Sequence, residues 1–315
     1  MKKAHILFDT DIGGDCDDAG ALALLHSLCN RGEAELLAVT ACYASPYVAG
    51  CIDAINTYYK RRVPIGVLHS NDYPEKGVYA GALCEKFPNS FPAGTMVEDT
   101  VRVQRRTLAE AEDSSVTYVM TGYFSSAAAL LESGPDDISP LDGIELVRKK
   151  VIRTVAMGGR FKSLWPMPIF MGNPIDTSPE TFQEWNICFD IPAAQKFCDK
   201  WPGEIVFSSY EIGSFIVTLS EFEQAGYPYN PVAYAYRIHH PDRHGRESWD
   251  LTAMLDAVRP NKGYWNYRPY GKVRVDDRGV TEFVPDESGQ HTCLLPRTDY
   301  DDVRRVIDSL VMEVQ

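Results

Sequence analysis

Ala4-His5-Ile6-Leu7-Phe8-Asp9-Thr10-Asp11-Ile12-Gly13-Gly14-Asp15-Cys16-Asp17-Asp18-Ala19 opens the chain with a short apolar run that ends in an acidic loop. From Ala19 to Leu28 the apolar positions then recur with helical spacing. The same order returns downstream. Glu35 to Cys42 is predicted as a second strand, residues 47 to 60 as a helix and Pro64 to Leu68 as a third strand. Residues 97 to 110 are predicted helical, Val116 to Met120 extended and Ser125 to Leu131 helical. Val151 to Met157 reads as a strand running into Gly158-Gly159, and Glu204 to Phe207 as another. Strands that alternate with helices predict an α/β fold: an open, mostly parallel sheet covered by helices on both faces. Ligands of such sheets bind beyond the carboxyl ends of the strands, which directs attention to the loops there.

Two later segments break the rhythm. Residues 230 to 258 are expected to be largely helical, and Lys272 to Leu295 alternates around Asp277-Arg278-Gly279 as a hairpin would. Tyr300 to Val311 closes the chain as a helix. These are read as additions to one domain spanning residues 1–315, with a C-terminal hairpin at its end; no Pro/Gly/Ser linker or internal repeat divides it.

A net charge of -13 opposes a surface that tracks phosphates, because nucleic-acid binding draws on clustered Lys and Arg. Basic runs such as Lys60-Arg61-Arg62 are expected to be solvated helix ends. After Met1-Lys2-Lys3 only Ile6, Leu7 and Phe8 precede Asp9, whereas an export signal needs roughly 7 to 15 apolar residues. No segment is long enough to span a bilayer. The eight cysteines form no CxxC pair and no zinc spacing. Reduced, mostly buried thiols in a cytoplasmic protein are therefore expected.

Between Asp9 and Asp18 five carboxylates fall within ten residues, after a strand and at a helix start. Like charges so crowded need a cation or several backbone N–H donors to stay ionised together. A hard divalent metal answers that need, and calcium accepts six to eight oxygens in irregular geometry. Capping of the helix accounts for one or two aspartates but leaves the others without a role. Asp136-Asp137 and Asp299, Asp301 and Asp302 read as caps or a solvated first turn.

With Asp9, Asp11 and Asp17-Asp18-Ala19 in this arrangement, the chain resembles the inosine-uridine nucleoside hydrolase family. That family's signature is Asp-x-Asp at a strand end followed by Asp-Asp-Ala at the next helix. The loop Ile12 to Cys16 is longer than the commonest family loop and carries an additional Asp15, whose role stays open between metal ligand, substrate contact and loop cap. Val116 to Met120 followed by Thr121-Gly122 resembles the family's strand ending in Thr-Gly. Met157-Gly158-Gly159, Gly172-Asn173 and Glu184-Trp185-Asn186 resemble its ribose-binding stretch, and Trp249-Asp250 its late aspartate.

The resemblance implies a nucleoside hydrolase-like fold and calcium-dependent hydrolysis of the N-glycosidic bond of a ribonucleoside, releasing free base and ribose. It implies that Asp11, Asp18, Asp250 and the Thr121 carbonyl bind Ca2+, that Asp17 is the general base, and that Asn173, Glu184 and Asn186 hold ribose hydroxyls. It further implies a homodimer or homotetramer. Two departures bear on the substrate. Many members have His directly before the late aspartate, but this chain has Trp249, as in purine-preferring members whose indole stacks on the base. Purine preference is the corresponding expectation. Ala44-Ser45 stands where many members have Gly-Asn on the sugar, so Ser45 is the expected contact there. His239, His240 and His244 are candidate acids for the leaving base, set against the plainer reading of solvent-facing loop residues.

Glu184 and Asn186 taken alone read equally as surface residues, and Trp249 on an apolar helix as core. Two rival functions fit parts of the pattern. A haloacid-dehalogenase-type phosphatase also opens on Asp-x-Asp and uses magnesium, but it favours Thr or Val where Gly13 stands and has no use for Asp17-Asp18. A calcium-dependent ribose- or nucleoside-binding protein without turnover is the other.

Overall fold

Ile6 and Phe8 face one side of the first strand and Leu7 the other, and each side meets its own apolar cluster. This alternation makes β1 the centre of a sheet buried on both faces. A computed structural model of the chain describes residues 3–70, 77–161, 169–170, 173–174, 183–260, 262–296 and 300–313, with backbone only at 169, 170, 173, 174 and 296.

The first strands are β1 (Ala4–Thr10), β2 (Ala34–Ala41), β3 (Ile65–Val67), β4 (Val116–Met120), β5 (Val151–Met157), β6 (Ile169–Phe170) and β7 (Asn173–Pro174). Then come β8 (Ile205–Ser208), β9 (Val217–Thr218), β10 (Arg246–Glu247), β11 (Trp265–Tyr267), β12 (Gly271–Val275), β13 (Thr281–Pro285) and β14 (His291–Pro296). Helices α1 (Asp17–Asn30), α2 (Val48–Tyr58), α3 (Ala80–Lys86), α4 (Thr100–Glu110), α5 (Ser125–Glu132) and α6 (Gly143–Lys150) fill the first half. The second half holds α7 (Trp185–Phe189), α8 (Ile191–Lys200), α9 (Tyr210–Gly213), α10 (Ser220–Gly226), α11 (Pro231–His239), α12 (Trp249–Val258) and α13 (Tyr300–Met312).

The main sheet runs β13-β12-β14-β8-β5-β4-β1-β2-β3, with β11 added against β14. From β14 to β3 every pairing is parallel. Asp9 is in register with Thr40 on one side and Met120 on the other, so the carboxyl ends of β1, β2 and β4 open on one edge. Helices α1, α2, α12 and α13 pack with the Ile6 and Phe8 face; α4, α5, α6 and α8 pack with the Leu7 face.

Helix α1 is apolar nearly all round, and its Leu22, Leu24, Leu25 and Leu28 are fully buried. Each such leucine contributes roughly 1.5–3 kcal/mol. The helix can be so apolar because α12 and α13 pack against it in addition to the sheet.

The expected C-terminal hairpin is narrower than the sequence pattern suggested. Only β12 and β13 pair as a hairpin across Asp276 to Val280, whereas β14 lies parallel to β8 as part of the main sheet. Residues 230 to 258 form two helices, α11 and α12, separated by a turn and β10. None of the eight cysteines forms a disulfide. Among the described residues no helix is long and apolar enough to cross a membrane.

Candidate active site

Two tyrosines shape the acidic loop. Tyr43 Oη donates to the Ile12 carbonyl at 2.8 Å, while Tyr79 Oη accepts from the Gly13 N–H at 3.1 Å and donates to the Asp15 carbonyl at 2.9 Å. Gly13 takes φ +128°, and a Cβ there would meet Tyr43 Oη at 2.7 Å, so the loop requires glycine at this point. Asp9 faces away from the loop's other carboxylates. It is fully buried and accepts from Thr40 at 2.6 Å, from Gln104 at 3.3 Å and from Ser126. Burial raises its pKa to about 7 against those hydrogen bonds.

Asp17 and Asp18 occupy the first turn of α1 and Asp250 the first turn of α12, where helix dipoles favour negative charge. One oxygen of each carboxylate lies within 4.8 Å of the others, and all three residues are buried. The Asp250 N–H donates to Asp17 Oδ2 at 3.1 Å; the Thr121 hydroxyl donates to Asp18 Oδ1 at 3.1 Å, and the Thr10 hydroxyl donates to the same atom. Burial, followed by the charges of Asp15 and Asp18, pushes Asp17 well above the carboxylate range. Asp250 moves the same way through burial and then the charges of Asp17, Asp18 and Asp11, and burial carries Asp18 to about 6. Three buried carboxyl groups that resist ionisation side by side fit a hard divalent cation, which supplies the missing positive charge and takes oxygen donors.

Asp11 lines the same cavity, although its oxygens are not within that 4.8 Å group. The backbone N–H of Thr121 donates to the Asp9 carbonyl at 2.9 Å, and the Thr121 carbonyl accepts from Asn186 Nδ2 at 2.8 Å. This ties the end of β4 to α7.

The cavity, of about 470 Å³, has Thr121, Met157, Glu184 and Asn186 on one wall. Glu184 and Asn186 are buried rather than on the surface. Glu184 caps α7: Oε1 accepts from the Asn186 N–H at 2.9 Å, and Oε2 from Gly159 at 2.9 Å and Ile187 at 3.1 Å. Burial raises its pKa against these donors. Asn186 Nδ2 also reaches the Met157 carbonyl at 3.3 Å. Asn173 contributes backbone to β7, and its side chain lies outside the described residues. Gly172 also lies outside them.

Arg246, His239, Trp249 and Tyr210 line the cavity too. Asp15 does not join Asp17, Asp18 and Asp250. It sits in the fork of Arg246, whose Nε lies 2.9 Å from Oδ1 and whose Nη2 lies 2.5 Å from Oδ2. Burial would raise the Asp15 carboxyl, but the Arg246 hydrogen bonds and charge carry it below the usual range. The Arg246 guanidinium lies 4.8 Å from the Trp249 ring centroid. The Trp249 indole N–H donates to the Tyr210 carbonyl at 2.9 Å, and the two rings stack at 5.8 Å. Of the three histidines considered, His239 alone lines the cavity, 3.7 Å from Asp15. Its Nδ1 has no hydrogen-bond partner among the described residues. His244 instead meets the buried Glu223 at 3.1 Å. Ser45 accepts from the Tyr47 N–H at 3.2 Å beside α2 and is not among the described residues that line the cavity.

The sequence did not single out Arg246, Tyr210, Tyr43 or Tyr79. An arginine four residues ahead of Asp250 was the available signal for Arg246, but nothing local indicated its partner.

The sequence model of the family described as inosine-uridine preferring nucleoside hydrolase matches residues 6–282. The chain belongs to this family. It is accordingly a nucleoside hydrolase, and the phosphatase reading of the acidic loop is set aside. No curated protein matches the sequence. Among solved structures, the inosine-uridine preferring nucleoside hydrolase from Bacillus anthracis superimposes with TM-score 0.70 at 18% identity, covering 98% of this chain and 99% of that one. The purine-preferring ribonucleoside hydrolase from Gardnerella vaginalis gives 0.67 at 17% identity, covering 98% of each chain. The type III effector XopQ, in complex with adenosine diphosphate ribose, gives 0.62 at 16% identity, covering 99% of this chain and 93% of that one. At these identities the likeness establishes the shared nucleoside hydrolase fold.

Proposed function

We propose that the enzyme hydrolyses the N-glycosidic bond of a purine ribonucleoside with calcium as its ion, Asp17 acting as general base. The observation that carries this is the meeting of Asp17, Asp18 and Asp250, from two helix starts, at the floor of a cavity large enough for a nucleoside.

Asp11, Asp18, Asp250 and the Thr121 carbonyl are the donors that would hold the ion, an all-oxygen set suited to calcium. When bound, the ion supplies a Lewis acid that orients the attacking water and the vicinal ribose hydroxyls and makes that water more acidic. Asp17 accepts the water's proton. Breaking the C–N bond builds positive charge on the sugar, which the surrounding carboxylates favour.

Glu184 and Asn186, fixed in the cavity lining by hydrogen bonds to backbone, hold ribose hydroxyls, and Asn173 is proposed to join them. Trp249, also in the cavity lining, meets the base, the reason for the purine assignment.

Base release from inosine, adenosine, guanosine, uridine and cytidine, with and without a calcium chelator, tests the assignment, together with Asp17→Ala. ADP-ribose serves as a ribosyl compound of different chemistry in the same panel. Fastest cleavage of uridine would remove the purine preference. Turnover indifferent to chelation would remove the ion, and nucleoside binding without base release would remove catalysis.

A further inference from the structure

We infer that Arg246, held by Asp15, is a positioning residue that fixes the indole of Trp249 for the leaving base and thereby sets base affinity. The inference rests on the function proposed above for the direction in which a nucleoside lies: ribose over the carboxylates and Glu184, base toward Trp249.

Trp249 is only half buried, and several contacts restrict how its indole can turn. Its N–H is committed to the Tyr210 carbonyl at 2.9 Å and to Ser214 Oγ at 3.2 Å. The Tyr210 ring stacks against it at 5.8 Å and 22°, and the Arg246 guanidinium lies 4.8 Å from its centroid. Of these neighbours Arg246 also reaches the acidic loop, through two nitrogens on the two oxygens of Asp15, 231 residues away in sequence. A third nitrogen of the same guanidinium holds Glu247 at 2.6 Å. A planar guanidinium saturated in this way has little freedom to leave the ring. Asp15 is in turn fixed through its carbonyl by Tyr79 and through Oδ1 by the Cys16 N–H at 2.7 Å.

The pair therefore connects the loop that carries Asp17 to the segment that carries Trp249 and Asp250. It places a rigid, charged plate against the aromatic surface at the base end. Arg246 does this as a permanent cation.

Calorimetry of free hypoxanthine, adenine and ribose separates this role from general damage. In Arg246→Met the purine-base affinity is expected to fall about tenfold, the scale of a desolvated cation–π contact and its anchoring pair. Arg246→Lys should not rescue it, because an ammonium cannot make the two-pronged contact. Ribose affinity should change by less than about twofold, since the hydrogen bonds that fix Glu184 and Asn186 run to Gly159, Ile187, Thr121 and Met157 rather than to Arg246 or Trp249. Asp15→Asn, which keeps the loop's shape, should weaken base binding in the same direction, and the double variant should bind base no worse than the weaker single variant. If Arg246→Met does not fold, Asp15→Asn carries the test.

Unchanged base affinity in these variants overturns the inference. So does an equal loss for base and ribose, which marks plain structural damage, and so does a wild-type protein that binds no free base. Hydrolysis is measured separately. A protein that binds purine bases through Arg246 but cleaves no nucleoside defeats the proposed reaction and leaves this inference standing; an active enzyme indifferent to Arg246 does the reverse.

Discussion

The backbone N–H of Asp250 donates to Oδ2 of Asp17 at 3.1 Å, joining two helix starts that are 233 residues apart in the chain. The carboxyl group of Asp250 thus approaches its counterparts because main chain holds it there, against the repulsion between the side chains.

That repulsion gives a signed prediction. Asp250→Asn keeps the backbone bond and removes one of the three crowded carboxyl groups, so the metal-free variant should melt above metal-free wild type. It should lose the gain in stability on adding calcium, which for wild type at a hundredfold excess over Kd is about 2.7 kcal/mol. Differential scanning calorimetry in chelator and in calcium reads both quantities; a variant that still gains as much as wild type would show that Asp250 holds no ion.

Gly122 lies where the loop after β4 crosses Asp11. A Cβ at this position would fall 2.5 Å from the Asp11 nitrogen and 2.7 Å from Cys42 Sγ, and backbone cannot yield as a side-chain tip can. Gly122→Ala is expected to cost about 1–3 kcal/mol and to displace Asp11. Urea unfolding and calcium titration should therefore both shift; an alanine variant with unaltered calcium affinity would separate Asp11 from the ion.

His26 is buried between α1 and α2, with Nε2 2.9 Å from Asn56 Oδ1 and its ring stacked on Tyr59. Burial, then the charge of Arg61, lowers its pKa to about 3. From that value up to 6.5 the unfolded chain binds a proton that His26 refuses in the native protein, so this residue's contribution to stability falls as the pH drops below 6.5. The loss is about 1.4 kcal/mol for each pH unit. His291, lowered to about 4 chiefly by burial, adds a second proton over part of the range. Denaturation midpoints of His26→Gln between pH 4 and 7 should show a shallower slope than wild type; parallel slopes would mean that His26 is protonated in the fold.

Asp256 is fully buried and takes Arg153 Nη2 at 2.7 Å together with the Tyr267 hydroxyl. Removing one partner leaves a charge stranded, so Asp256→Ala should cost about 3–5 kcal/mol, while replacing Arg153 and Asp256 together by apolar residues should cost much less. Equilibrium unfolding of the three variants tests that difference; equal losses in the single and double variants would contradict it.

The strand and helix order, and the concentration of carboxylates behind β1, were legible because both are written in local runs. Thr121, Glu184 and Asn186 were legible through the family pattern, and the structure puts all three on the cavity wall. The pairing of Asp15 with Arg246 was not, since neither neighbourhood carries a periodicity that points to the other. Alternation around Asp277-Arg278-Gly279 made the last strand look like half of a hairpin. His291 to Leu294, however, are buried without alternation, the mark of a strand covered on both faces, and that run was the overlooked signal for β14. Ser45, carried over from the family pattern, accepts from the Tyr47 N–H and is not among the described residues that line the cavity.

The final helix closes over the first. Ser27 of α1 donates to the Leu310 carbonyl, Asp308 accepts from the Leu219 N–H at 2.8 Å, and Val303, Ile307, Leu310 and Val311 are buried. During synthesis, then, the helix that presents Asp17 and Asp18 stays uncovered on that side until the segment containing Leu310, 283 residues after Ser27, has been made. A substitution that loosens α13 would therefore be felt at the helix that carries Asp17 and Asp18, far away in the sequence.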